Sequence, residues 1–190
     1  MHQKALYNAV KTPKLLVLLG LVICLFTACY EKAATSKNVF SYNEATGIAT
    51  LDPAFAKNQS IMWAVHQIYN TLVEIDSNLN IVPSLAKSWE VSEDRKTYRF
   101  HLRTNVYFTP DEAFKGGTGR KLVASDVAYS LGRIIDKTVA SSGAWIFNGR
   151  VDSVMPFVVL NDSTFELRLQ RPFHPIMGIL STQYCSPKKW

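Results

Sequence analysis

Cysteine is scarce in this sequence, with three cysteines among 190 residues. Cys24 and Cys29 lie in or beside an apolar N-terminal segment, so Cys185 is the only cysteine in the remainder of the chain. A framework of disulfide bonds within this stretch is therefore excluded. We interpret Cys185 as a buried thiol, and the alternative is a disulfide bond to a cysteine beyond residue 190.

Sequence motifs for metal binding and catalysis are also missing. No CxxC, HExxH or GxSxG pattern occurs, and the four histidines are far apart. The glycine-rich run at 116–119 lacks the lysine that a phosphate-binding loop carries directly after its last glycine. Most carboxylates fall in predicted turns, where they are solvated or cap the backbone. We therefore predict no catalytic residue, no metal site and no cofactor, and we do not expect an enzyme.

Clusters of basic residues are absent as well. The whole chain has a formal net charge of +6, but three of its 21 lysines and arginines precede residue 29, and all 15 acidic residues follow it. Residues 29–190 therefore carry a net charge of +3, and no basic run in them is longer than the two residues of Lys188-Lys189. A nucleic-acid-binding surface needs a concentrated basic face, so nucleic acid is excluded as a partner.

The N-terminal segment carries three lysines, and no acidic residue occurs before Glu31. An apolar run at 15–26 follows the last of these lysines. This run has the length of the apolar core of a signal peptide and is shorter than the roughly 20 apolar residues of a membrane-spanning helix. It leads into Thr27 and Ala28 directly before Cys29, and small residues before a cysteine are typical of a lipoprotein cleavage site.

We therefore predict a lipoprotein signal peptide over residues 1–28, with a lipid on Cys29 that anchors the mature chain to a membrane. Residues 29–37 are small and polar, as expected of a tether. Phe26 departs from the pattern, since an aliphatic residue usually occupies its position. The alternative is an uncleaved anchor helix. Both interpretations place the remaining chain outside the cytoplasm, in the periplasm or at the cell surface.

Helical periodicity is found in three places after the tether. Residues 59–72 predict a helix, because four apolar residues recur at helical spacing behind Asn58, a plausible N-cap. These four residues are Ile61, Val65, Ile68 and Leu72. A second helix is expected to begin near Ser125, and a short helix is expected at 176–180.

Alternating apolar and polar residues predict strands that are connected by short turns. The expected strand pairs are 72–75 with 81–83, 88–91 with 97–103, and 151–160 with 164–169, and a first strand is expected at 39–42. In the arm 97–103 one face is apolar and the other charged, as in a half-buried strand. His101 falls on the charged face, so it is predicted to be solvated and not catalytic. Residues 109–121 predict a loop.

Several short segments occur in a characteristic order. They are LDP at 51–53, IYNTLV at 68–73, PSLAKSWEVS at 83–92, TYRFHLR at 97–103, ASDVAYSL at 124–131 and DSTFELRL at 162–169. Together they resemble the family 5 extracellular solute-binding proteins, which include the oligopeptide-, dipeptide- and nickel-binding components of ABC importers. The resemblance covers about residues 38–190.

This resemblance implies a mixed α/β chain with a type II periplasmic-binding-protein fold, in which two lobes close around a ligand. Residues 38–190 are then an incomplete N-terminal lobe, and the second lobe is expected beyond Trp190. The implied function is to capture peptides, or a related solute, and to deliver them to the permease subunits of an ABC transporter. A nickel- or metal-chelate-binding member of the family is the alternative. An alternative from a different functional class is an exported lipoprotein enzyme or a structural envelope protein that reuses the fold.

The resemblance also implies which residues line the ligand cleft. They are the stretch just after LDP and a tyrosine on the second helix, here Ala56, Lys57, Asn58 and Tyr129. Each polar member has another interpretation: Tyr129 as a core aromatic residue, Asn58 as a helix cap and Lys57 as a solvated charge.

Two positions depart from the family pattern. A longer glycine-rich loop replaces the Asp-Gly turn that usually follows the strand at 106–108. Val123 occupies a position where the family often has threonine to cap the second helix together with Asp126. We therefore expect Ser125 to take over the cap.

Overall fold

The computed structural model describes residue 41 and residues 43–182. The predicted signal peptide and tether lie outside these residues, as do Val39, Phe40 and Tyr42 of the predicted first strand, the lipidation site Cys29 and the thiol of Cys185. Three α-helices are present in the described part: α1 at Gln59–His66, α2 at Ala124–Ile135 and α3 at Ile176–Leu180. The same described residues contain six strands: β1 at Val73–Ile75, β2 at Ile81–Pro83, β3 at Ala86–Val91, β4 at Thr97–Leu102, β5 at Phe157–Asn161 and β6 at Thr164–Arg168.

The strands form two antiparallel sheets. Strands β1 and β2 pair with each other, and the other four form a sheet in the order β3-β4-β6-β5. All three predicted strand pairs are therefore confirmed. Pairing between β4 and β6 joins the second and third pairs, with Phe100 opposite Phe165.

One face of the four-stranded sheet carries the core. Phe100 and Phe165 are fully buried, and their rings are 6.2 Å apart. Helix α2 packs on β5 and β6 and contributes the buried side chains of Val127 and Leu131 to the same cluster. The helix therefore presents its apolar stripe to the sheet. The apolar face predicted for 97–103 is confirmed, since Tyr98, Phe100 and Leu102 are all buried.

Helix α1 is shorter than predicted, because it ends at His66 and not at Leu72. The backbone N–H groups of Ile68 and Tyr69 both donate to Val65 O, which closes the last turn. Ile68 is 55% exposed, so the prediction of a continuous buried face was wrong. Leu72 leaves the helical pattern because its carbonyl accepts a hydrogen bond from Ala86 N at the start of β3.

Helix α2 begins one residue before the predicted position, and Val123 is its N-cap. The backbone of Val123 is extended, and the Asp126 carboxylate accepts a hydrogen bond from Val123 N at 2.9 Å. The Val123 carbonyl in turn accepts from Asp126 N. Ser125 therefore does not take over the cap, because the aspartate side chain and the backbone already satisfy the first turn.

Strand β5 is shorter than the predicted arm 151–160. Val151 forms only an isolated bridge to Leu169. The carboxylate of Asp152 then accepts hydrogen bonds from the backbone N–H groups of Val154 and Met155. This local turn competes with strand pairing, so the regular strand starts at Phe157.

The predicted loop at 109–121 is confirmed and is closed at its base by backbone pairing. Phe108 N donates to Arg120 O, and Leu122 N donates to Val106 O. The Arg120 guanidinium lies 4.8 Å from the centre of the Phe108 ring and pairs with the buried Asp126. The base of the loop is thus attached to the start of α2. No helix within residues 43–182 has the length and apolar character needed to cross a membrane.

Candidate functional site

A pocket of about 270 Å³ opens between the segment 53–57, helix α1 and the segment 141–146. Its lining residues come from parts of the chain that are far apart in sequence. They are Pro53, Ala54, Ala56, Lys57, Met62, Ser141, Ser142, Gly143, Trp145, Ile146 and Thr182.

Asp52 sets the conformation of the first wall. Its carboxylate accepts a hydrogen bond from Ala54 N at 3.0 Å and so caps the short 3-10 helix Pro53–Phe55. Arg133 of α2 donates to both carboxylate oxygens of Asp52, at 2.9 and 2.8 Å. A bidentate arginine–carboxylate pair fixes orientation as well as distance, so the segment after Asp52 is held against α2.

The same ion pair determines the electrostatics beside the pocket. The hydrogen bond from Arg133 to Asp52 raises the pKa of the Arg133 guanidinium, although burial acts in the opposite direction. The negative charge of Asp52 and the charges that Tyr129 and Tyr69 carry once they ionise at high pH also raise this pKa. The charge of Asp52 is therefore balanced locally.

Ser141 joins the two walls directly. Its hydroxyl donates a hydrogen bond to Ala54 O at 2.6 Å and accepts one from Gly143 N at 3.1 Å. Ser141 is buried, so these bonds are shielded from water. The two walls of the pocket are therefore joined by contacts within this chain.

The structure brings two of the four predicted ligand residues into this pocket. Ala56 and Lys57 both line it. Ala56 is half-buried and packs against Ile61 and Val65, whereas Lys57 is exposed. The short segment after LDP thus faces a cavity, and its role in ligand binding stays a prediction.

The other two predicted residues are not among the lining residues. The Asn58 side chain accepts a hydrogen bond from Ile61 N at 3.0 Å, so the alternative interpretation as the N-cap of α1 is confirmed. Tyr129 is 38% exposed, which contradicts the alternative interpretation as a core aromatic residue. It lies one helical turn before Arg133, on the side of α2 that faces Asp52.

Sequence reasoning missed the second wall of the pocket. Trp145 is 67% exposed and lies in the 3-10 helix Ala144–Ile146. This segment has no helical or strand periodicity to mark it. The sequence feature that could have indicated this wall is an aromatic residue between Gly143 and Gly149, in a loop that follows a predicted helix.

The lining is suited to binding through apolar contact and hydrogen-bond donors. Among the lining residues that the structure describes, Lys57 is the one formally charged side chain, and there is no carboxylate, imidazole or thiol. Met62, Trp145 and Ile146 supply apolar surface. Within the described part of the chain, no three histidine, cysteine or acidic side chains are grouped as they would be around a metal ion.

Comparison with known proteins identifies relatives over nearly the whole chain. The family model described as bacterial extracellular solute-binding proteins, family 5 Middle, matches residues 80–189. The peptide transport periplasmic protein SapA of Salmonella typhimurium is 31% identical over 186 residues, covering 90% of this chain and 34% of SapA. The chain thus spans about a third of the length of this relative.

Solved structures share the fold of the described residues. The periplasmic binding protein DppA from Helicobacter pylori, in complex with the peptide STSA, superposes with a TM-score of 0.64 at 28% identity, covering 74% of this chain and 29% of DppA. NikZ from Campylobacter jejuni, in complex with Ni(L-His), superposes with a TM-score of 0.59 at 26% identity, covering 73% of this chain and 25% of NikZ. The predicted mixed α/β periplasmic-binding-protein fold, present here as part of the relatives' length, is confirmed.

Proposed function

Because the chain belongs to the family 5 bacterial extracellular solute-binding proteins, we propose that it captures peptides or a related solute outside the cytoplasm and delivers them to the permease subunits of an ABC importer. The observation that carries the proposal is the pocket beside Ala56 and Lys57. Its walls are tied together by Ser141, and the Asp52–Arg133 pair holds one of them. Preorganised concave sites of this kind bind ligands without a large ordering cost.

Peptide is the favoured ligand class. SapA is named for peptide transport, and DppA was solved with a bound peptide. We propose that residues 38–190 form the N-terminal lobe and that the ligand is enclosed when a second lobe closes over this pocket by a hinge motion. The pocket of about 270 Å³ is smaller than a typical site for a drug-sized ligand, which agrees with a partial site that another lobe completes.

Isothermal titration calorimetry of the native-length protein against di- to pentapeptides tests peptide capture. We expect binding to at least one peptide and no measurable heat with residues 29–190 alone. Trp145→Ala is expected to weaken binding about tenfold, because an aromatic wall of the pocket is lost.

Trp63→Ala is the matched control for this experiment. Trp63 is 50% exposed on α1 and is not among the pocket-lining residues, so its replacement should leave the affinity unchanged. If no peptide in the library binds, peptide capture is contradicted. Turnover of a substrate would instead favour an exported enzyme that reuses the fold.

We further propose that the mature protein is a lipoprotein. Residues 1–28 are removed, Cys29 carries the lipid, and residues 29–37 form the tether to the membrane. Two acyl chains anchor a protein stably where one chain alone binds reversibly. The protein would then stay close to the membrane that contains its permease.

Intact-mass spectrometry of the mature N-terminus tests the lipid anchor. We expect Cys29 to be acylated, and we expect Cys29→Ser to move the protein from the membrane fraction to the soluble fraction. Cys24→Ser is the matched control, since Cys24 lies inside the removed segment. A mature chain that begins with unmodified Cys29 would contradict the lipoprotein assignment.

A further inference from the structure

The charge of the pocket lining favours a negatively charged ligand group. Among the described lining residues, Lys57 is the only one that carries a formal charge. The nearest carboxylate along the chain, Asp52, has both oxygens bound by Arg133. An anionic ligand group would therefore meet a positive charge without an opposing unpaired carboxylate from Asp52.

Two described lining residues, Lys57 and Ser142, keep hydrogen-bond donors that no described group within the chain uses. The hydroxyl of Ser141 donates to Ala54 O, and that of Thr182 donates to Ile179 O. Among the described residues, neither the Lys57 ammonium nor the Ser142 hydroxyl has a hydrogen-bond or ion-pair partner. An ammonium has three donors and no acceptor, so it suits a ligand oxygen and disfavours a ligand ammonium.

The remaining lining is apolar and lies beside these donors. Trp145, Met62 and Ile146 belong to the same cavity as Lys57 and Ser142. A ligand group that combines a negative charge with adjoining hydrocarbon would use both parts. A peptide offers such a group either at its C-terminal carboxylate or at an acidic side chain.

We infer that this pocket binds a carboxylate of the captured ligand, with Lys57 as its counter-ion and the Ser142 hydroxyl as a second donor. The inference rests on the proposed peptide capture. Charge-assisted hydrogen bonds are stronger than neutral ones, but Lys57 is exposed to water, which screens its charge. The expected preference for a carboxylate over the matching uncharged group is therefore about fivefold, as for a partly exposed ion pair.

Calorimetry of the native-length protein with two matched pairs of probes tests this inference. The first pair is Ala-Phe-Ala with a free C-terminus and its C-terminal amide. The second pair is Ala-Glu-Ala amide and Ala-Gln-Ala amide. The pair that shows the fivefold preference identifies the source of the carboxylate, because only one carboxylate differs within each pair.

Three variants assign the preference to Lys57. We expect Lys57→Gln to abolish it and Lys57→Arg to keep it. Lys115→Gln, which removes an equal charge from an exposed loop position outside the pocket, should also leave it intact. A preference that persists in Lys57→Gln, or equal affinities within both pairs, overturns the inference and leaves peptide capture standing. Failure of wild-type protein to bind any probe contradicts peptide capture and overturns both.

Discussion

Replacing Glu166 with alanine is expected to lower the free energy of unfolding by about 2 kcal/mol at pH 7. Glu166 lies on the face of the four-stranded sheet opposite the core, yet its side chain is only 4% exposed. Arg99 donates two hydrogen bonds to Oε1, at 3.0 and 2.8 Å, and Arg168 donates two to Oε2, at 3.2 and 2.8 Å. Alanine would leave two guanidinium groups facing each other without the carboxylate between them.

The loss of stability depends on pH in a definite direction. Burial by itself raises the pKa of Glu166, but the hydrogen bonds from Arg168 and Arg99, together with their charges, outweigh it and hold the pKa below its ordinary value. A group whose folded-state pKa is depressed stabilises the protein fully above its unfolded pKa of about 4.3. The stabilisation is lost as the pH falls through the lower folded-state value.

Urea denaturation of wild type and Glu166→Ala at several pH values measures this effect. The difference between the two proteins should be complete at pH 7 and should shrink below a pH of about 4. Glu90→Ala is the matched control on the same sheet face. Glu90 lies 3.8 Å from Arg99, but its side chain is 64% exposed, so its loss should cost less than about 1 kcal/mol. An equal cost for the two variants would contradict the role assigned to the buried carboxylate.

Replacing Gly119 with alanine is the second large expected change, with a loss of about 3 kcal/mol of unfolding free energy. A Cβ atom at this position would overlap with the carbonyl oxygen of Phe108 and lie 2.6 Å from its carbonyl carbon. Both atoms belong to the backbone, so no side-chain rotation relieves the overlap. The hydrogen bond from Phe108 N to Arg120 O, which closes the loop, would have to be distorted.

Thermal and urea unfolding of Gly119→Ala measure this cost. Gly132→Ala is the control, because a Cβ at Gly132 in the interior of α2 would have nothing within 4 Å. Alanine is the better helix former by about 1 kcal/mol, so Gly132→Ala should be neutral or stabilising. A Gly119→Ala variant as stable as wild type would show that the base of the loop shifts freely and that this close approach is not a constraint.

The sequence predicted those features whose causes are local. The hairpin of β3 and β4 follows from strict alternation and a polar turn, and the cap at Asn58 depends on a residue only three positions away. The end of α1 could not be predicted in this way. Helical spacing of apolar residues continues to Leu72. In the structure, however, the Leu72 carbonyl accepts a hydrogen bond from Ala86 N at the start of β3, and this contact cannot be read from the periodicity.

The residues of the candidate site also fall into a part that the sequence predicted and a part that it did not. The position of Ala56 and Lys57 came from the LDP resemblance, and the structure places both in a pocket. The opposite wall, with Trp145, had no periodic signal. The burial of Glu166 had no sequence signal either, because it depends on two long arginine side chains that fold over the carboxylate.

By itself, the sequence determined the family, the mixed α/β content and the strand pairs, and it predicts an export signal before Cys29. Each of these depends on residues that are neighbours along the chain or on a motif order that can be read directly. The tertiary structure alone decided that a pocket exists beside Lys57 and that its walls are held together. The reason is that Arg133 and Asp52 are 81 positions apart, and Ser141 and Ala54 are 87 positions apart. Such pairs meet only when the packing of α2 and of the segments around it has been formed.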